Sequence, residues 1–156
     1  MPPSLDVYVR VHPSDRTAVL SRFIHRYVDT ENPQEPRFDA FVRTYIAGEP
    51  APGDLDALAE LRRDPCAERA FSLYLQANDY YQAIITLTEE NDLVLGLSLD
   101  DPDNDPATLF QASALMAALA QEFGATSGVA GVELPPPQSI SEWAEDALVM
   151  LRYENV

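Results

Sequence analysis

The sequence predicts an α+β fold: a two-layer sandwich in which helices pack on one face of a mostly antiparallel sheet, as a single domain over residues 1–156. Four segments alternate apolar and polar residues with the period of a half-buried strand. Around and between them run stretches whose apolar residues recur at three and four, the helical spacing. The order is strand, helices, three strands, helix, strand, helix, with no Gly/Ser-rich linker and no internal repeat. That order builds one layer of sheet and one of helices. A chain of 156 residues with 46% apolar content supports one such core.

The first strand is "LDVYVRV". Leu5, Val7, Val9 and Val11 face one way, and Asp6, Tyr8 and Arg10 the other. Pro13 ends it and Ser14 is placed to cap the next helix. Between Asp15 and Val28, the residues Leu20, Phe23, Ile24 and Tyr27 form a helical stripe, with Arg22, His25 and Arg26 near the C-terminal end where cations suit the dipole. "DTENPQEP" is a polar loop. Phe38, Phe41, Val42, Tyr45 and Ile46 suggest a second helix stopped by Gly48, although the same residue types also suit a strand. Leu55, Leu58, Ala59 and Leu61 suggest a short third helix, ended by Pro65.

The middle of the chain switches to period two. Phe71, Leu73 and Leu75 share a face; so do Tyr81, Ala83, Ile85 and Leu87; so do Leu93, Leu95, Leu97 and Leu99. Asn78-Asp79 and "EEND" lie between these runs and tolerate left-handed backbone, which makes a three-strand meander. Its other face collects Ser72, Tyr74, Gln76, Gln82, Thr86, Thr88 and Ser98, and Tyr8 and Arg10 join it from the first strand. This reads as a wet face opposite a buried one.

Pro106 to Phe123 is a helix with the stripe Leu109, Ala112, Met116, Leu119 and Phe123, closed by Gly124. "GVAGVELPPP" reads as a last strand stopped by prolines. Ser139 and Glu142 have capping-box spacing and open a final helix whose expected stripe is Ile140, Trp143, Ala144, Ala147, Leu148 and Leu151.

The formal charge is −16, and all ten basic residues are Arg. Such a surface repels nucleic acid and anionic membrane, and it suits a basic protein partner or a high-salt medium. Residues 70–156 hold fourteen acids against Arg152 alone. The single cysteine, Cys66, rules out an internal disulfide and is expected to be a small half-buried residue. No signal-like or membrane-length apolar run is present, so a cytoplasmic location is expected.

The run "DDPDNDP" places Asp101, Asp103 and Asp105 at calcium-loop spacing. An EF-hand needs Gly at its sixth position and Glu at its twelfth; here these are Pro106 and Ala112. The reading adopted is a cap: Asp105 at the helix start and Pro106 at the first helical position. No metal or cofactor is expected. His12 and His25 are the only histidines. A hydrolase would use one with Ser or Asp, yet "GLSLD" is no nucleophile elbow and "TSGVAG" lacks the phosphate-loop Lys. Trp143 is expected in the core, and Tyr8 and Tyr74 stand on an exposed sheet face unless another segment covers it.

"DVYVRV", "SRFIHRYV", "AIITLTEENDLVLGLSLDD" with a helix after it, and "VAGVELPPPQSISEW" together give a build that resembles the small acidic α+β immunity proteins of bacterial polymorphic and contact-dependent toxin systems. The resemblance covers about two-thirds of the chain in composition and rhythm, and it carries no diagnostic motif. It implies an inhibitor that binds a cognate toxin and performs no chemistry. The expected contact residues, chosen for charge and position, are Tyr74, Glu89, Glu90, Asp92, Asp100, Asp101, Asp103 and Asp105. The alternatives are a module that forms a homodimer through the polar sheet face, and a small hydrolase.

Overall fold

The computed structural model describes residues 3–63, 69–101 and 105–154. They form an α+β fold around one sheet of six strands: β1 Ser4–Val11, β2 Phe71–Leu75, β3 Gln82–Leu87, β4 Leu93–Asp100, β5 Ser127–Val132 and β6 Leu151–Glu154. The order across the sheet is β2-β3-β4-β1-β5-β6, and every neighbouring pair is antiparallel. The first strand is therefore central. Val9 lies opposite Leu95 on one side and Gly128 on the other, and the row continues through Ile85 to Leu73. The period-two faces predict that Val9, Leu95, Ile85 and Leu73 are each on the apolar side of their strand; the order of the strands is not in that pattern. Asp79 (φ 67°) and Asn91 (φ 69°) adopt the left-handed conformation in the connections between the meander strands.

The helices α1 Arg16–Tyr27, α2 Phe38–Val42, α3 Asp54–Ala59 and α4 Pro106–Phe123 supply the layer over the apolar face. Asp15, not Ser14, caps α1, accepting from the Ala18 amide at 3.1 Å. The Phe38–Ile46 segment is helical: α2 runs on into a π-helical turn, Arg43–Ala47, stopped by Gly48 at φ 72°. A strand would send Phe38 and Phe41 to opposite faces, whereas the helix buries both and brings Tyr45 to within 5.9 Å of the Phe71 ring. β4 and β5 both run antiparallel to β1 between them, and α4 makes the crossover over β1. Asp105 caps α4 through the Ala107 amide at 2.9 Å, and Gly124 closes it at φ 68°. Cys66 and Pro65 lie outside the described residues.

Two further expectations are corrected. The final helix, α5, spans only Ile140–Trp143, capped by Ser139 at 3.1 Å from the Glu142 amide. The expected stripe does not form, because Ile140 and Leu148 are exposed and Leu151 belongs to β6, paired with Ala130. A helix of this length has little intrinsic stability, and the open edge of β5 offers ladder hydrogen bonds instead.

The second correction concerns the polar sheet face. Residues 134–149 lie across part of it, and Leu134, Trp143 and Val149 pack with Tyr8, Ile84, Val94 and Val129. Tyr8 is therefore buried, with its hydroxyl donating to the Leu134 carbonyl at 2.5 Å. Gln138 closes over Ser72, its Nε2 donating to Ser72 Oγ at 3.0 Å. Strand glycines make room for this cover. A Cβ on Gly96 would come within 2.5 Å of the Tyr8 ring, and one on Gly131 within 2.1 Å of the Leu148 carbonyl oxygen. The part of the polar face around Tyr8 is thus covered by the chain's own C-terminal segment, while Tyr74 on the same face stays exposed.

Candidate partner-binding surface

β4 separates the predicted contact residues into two groups. Its eight residues span about 23 Å at about 3.3 Å each. Glu89, Glu90 and Asp92 lie at the end where β4 begins, and Asp100 and Asp101 at the end where it finishes. Asp103 lies outside the described residues.

At the first end two of the three acids, Asp92 and Glu90, are already engaged. Asp92, named from the sequence as a contact residue in the acidic loop, is only 4% exposed. Arg10 donates to Asp92 Oδ2 from Nη2 at 2.5 Å and from Nε at 3.0 Å, and His12 Nδ1 pairs with Oδ1. Burial pushes the Asp92 carboxyl up, but the hydrogen bonds from His12 and Arg10 and the Arg10 charge outweigh it, and the net direction is down. The turn itself closes through the Asp92 amide on Thr88 Oγ1 at 2.9 Å. Glu90 accepts from the Ile140 amide at 2.7 Å, tying the turn to α5, and Glu89 remains exposed. The His12 ring is solvent-facing beyond its contact with Asp92, and His25 sits exposed on α1.

The other end is open. Asp101 is buried and accepts from the Asp105 amide at 2.9 Å, which makes it a loop-former and not a contact residue. Asp105 is exposed but serves α4 as its cap. Asp100 is exposed, opposite Ser4 in the ladder. Beside it lies a cleft of about 570 Å³ whose lining includes Ser4, Tyr74, Tyr80, Tyr81, Gln82 and Glu133, together with Gln34, Glu35 and Gln76. Tyr74 reaches this cleft from edge strand β2 and is 44% exposed. Beneath it Asp6 is buried, accepting from Ser98 Oγ at 2.6 Å and Ser4 Oγ at 3.0 Å. Burial raises the Asp6 carboxyl, against the lowering hydrogen bonds of Ser98, Ser4 and the Leu134 amide. The Tyr74 hydroxyl is raised by burial and then by the Asp6 charge.

Gln34 (φ 62°) and Glu133 (φ 46°) line the cleft in left-handed backbone that neither residue type favours. Glu133 is fixed by its amide donating to the Ser4 carbonyl at 2.8 Å, and its side chain is exposed. Glu35 is committed to Arg37 at 2.8 Å. The cleft thus offers tyrosine rings, amide oxygens and the Glu133 carboxylate, with Asp100 opposite Ser4 beside it, a set that receives guanidinium or ammonium groups through hydrogen bonds and cation–π contact.

The sequence reading found Tyr74 and Asp100 but missed Tyr80, Tyr81, Glu133 and Asp6. The signal available was alternation: Asp6, Ser98 and Gln82 fall on the same face as Tyr74. Their assembly depended on β1 sitting beside β4, which alternation does not specify.

Among the described residues no helix is long and apolar enough to cross a membrane, and no cluster of three or more His, Cys, Asp or Glu is arranged to hold a metal ion. No protein-family model matches the chain, and neither the curated proteins nor the solved structures compared with it give a match.

Proposed function

We propose that this chain is a non-enzymatic binding protein of the immunity type, which neutralises a basic toxin by receiving its cationic side chains in the tyrosine-lined cleft beside Asp100. The observation that carries this reading is the cleft itself: exposed Tyr74, with Tyr80 and Tyr81, flanked by the Glu133 carboxylate at the acid-rich end of the sheet. Tyrosine supplies contact area at small entropic cost, and unneutralised carboxylates attract a basic surface. The charge balance supports it. Arg10, Arg22, Arg26, Arg37, Arg43, Arg63 and Arg152 are each paired with a carboxylate of this chain, so most of the cationic charge is spent internally. With a net charge of −16, the remaining acids set up a field that speeds encounter, toward about 10⁸–10⁹ M⁻¹s⁻¹ at low salt.

The test is a pull-down from source-cell lysate with tagged protein, washed at low and high salt. One basic protein retained at near-equal stoichiometry and released by salt is expected. The combined variant Tyr74→Ala, Glu133→Gln should lose that partner while melting like the wild type, and Glu89→Gln, at the far end of the sheet, should retain it. Undiminished capture by the cleft variant would remove the cleft from the interface. The same partner held equally at all salt concentrations would remove the electrostatic basis of the proposal.

A further inference from the structure

We infer that a second cleft, at the opposite end of the sheet from Asp100, binds a small multivalent oxyanion carried on an apolar body, such as an organic phosphate. Arginine is the only basic residue type in this acidic chain, and seven of the ten arginines are ion-paired as described above. The three that pair with no carboxylate among the described residues are Arg16, Arg62 and Arg69. All three line the same cleft, of about 390 Å³, between α1, α3 and the start of β2. With acids so abundant, three arginines that pair with no carboxylate among the described residues and converge on one concavity form a local positive site inside a negative field.

Three acids of the adjoining segments have other partners. Asp92 is held by Arg10 and His12, Asp54 by Arg43 at 2.8 Å, and Glu60 lies 3.6 Å from Arg37. Arg16 is held in place: Nη1 donates to Asn91 Oδ1 at 2.8 Å, and its guanidinium lies 5.6 Å from the Tyr45 ring centre. That leaves Arg16 donors to spare, since a guanidinium carries five. Apart from Thr88 the rest of the wall is apolar, and Leu55 in it is 63% exposed. Guanidinium forks bind phosphoryl and carboxylate oxygens in pairs, and three of them match a group with at least two negative charges. The apolar wall takes the body that carries it, and the cleft volume falls within the range of small-molecule sites. At physiological salt the rest of the protein's charge is screened beyond about 8 Å, so the local arginines dominate for a ligand inside the cleft.

The experiment is a titration of the full chain followed by amide and arginine side-chain NMR. The probes are inorganic phosphate, pyrophosphate, adenosine, AMP, ADP and citrate. The expected result is saturable shifts at Arg16, Arg62, Arg69 and Asn91 with ADP or AMP, weaker ones with inorganic phosphate, and none with adenosine. Stronger binding of citrate than of ADP would assign the site to carboxylates within the same oxyanion class. Arg62→Gln and Arg69→Gln should each weaken binding by about tenfold or more, because each removes a charge-assisted hydrogen bond. Neither arginine pairs with a carboxylate among the described residues, so both variants should melt at or slightly above the wild-type temperature. Absence of saturable shifts at millimolar concentration with every charged probe overturns the inference. So does undiminished affinity in the variants, or equal binding of adenosine.

Discussion

Tyr8 pins the C-terminal cover to the sheet, and removing its hydroxyl tests that role. The ring is 1% exposed, packed among Ile84, Val94, Val129, Leu134 and Trp143, and its hydroxyl donates to the Leu134 carbonyl at 2.5 Å. Tyr8→Phe keeps the ring and its buried apolar area, so the transfer contribution changes little. It deletes the donor and leaves the carbonyl of Leu134, itself a buried residue, without that partner. An unpaired buried acceptor costs about 1–3 kcal/mol. For a chain of this size each kcal/mol shifts Tm by about 2–4 °C, so a fall of about 2–12 °C is expected. Tyr8→Ala also removes the ring and should cost about 3–5 kcal/mol. The assay is thermal and urea unfolding, followed by circular dichroism for the whole chain and by fluorescence of Trp143, its only tryptophan. Trp143 belongs to the cover, so its signal should move first in Tyr8→Phe. If that variant stays within about 0.5 kcal/mol of wild type by both probes, the range of a neutral surface change, the hydrogen bond is not what fastens the cover.

The remaining predictions concern the cover's fit, the acid limb of stability and a helix cap. Gly131→Ala should destabilise more than Gly128→Ala in parallel melts: its Cβ would sit 2.1 Å from the Leu148 carbonyl oxygen, which is backbone, whereas that of Gly128 first meets the flexible Met116 side chain at 2.7 Å. Equal losses would mean that residues 148–150 yield easily. Asp54 is held down at about 2, from 3.8, first by the Arg43 hydrogen bonds and then by the Ala51 amide. Its folded value lies below its unfolded one, so its stabilisation is complete above about pH 4 and disappears as the pH falls toward 2. The stability gap between wild type and Asp54→Asn should therefore hold from neutral pH down to about 4 and close below it; a gap unchanged at pH 2 would contradict the assignment. Asp105→Ala should cost about 1 kcal/mol in urea unfolding through loss of the α4 cap, and an unchanged midpoint would mean that the Ala107 amide finds another acceptor.

Alternation made the strands legible because side chains on a strand must alternate between faces, and burying one face selects the apolar set. Phe71, Leu73 and Leu75 therefore announced β2, and Leu93 to Leu99 announced β4. Caps were legible for the same local reason: Asp105 and Ser139 stand where the first free amides of a helix need an acceptor. The candidate cleft was only partly legible. Tyr74 and Asp100 stood out, but Glu133 comes from beyond β5 and Asp6 from β1, and nothing local says that these strands flank one another's ends. Asp92 looked like one more contact acid of the loop, because its partners Arg10 and His12 are about eighty residues away in sequence.

The sequence by itself determined the α+β class, the meander, the α4 boundaries and the acid-rich charge, all properties of short windows or of composition. Only the tertiary structure decided that β1 is central, that residues 134–149 cover Tyr8, and that Leu151–Glu154 pairs with β5 instead of extending α5. It also decided which charges are spent and which remain. Seven arginines meet carboxylates while Arg16, Arg62 and Arg69 share a cleft, and Tyr74 meets Glu133 across another. The physical reason is the same in each case. These outcomes are set by contacts between residues far apart in sequence, where burial and pairing energies exceed the weak local preferences of a four-residue helix or a single turn.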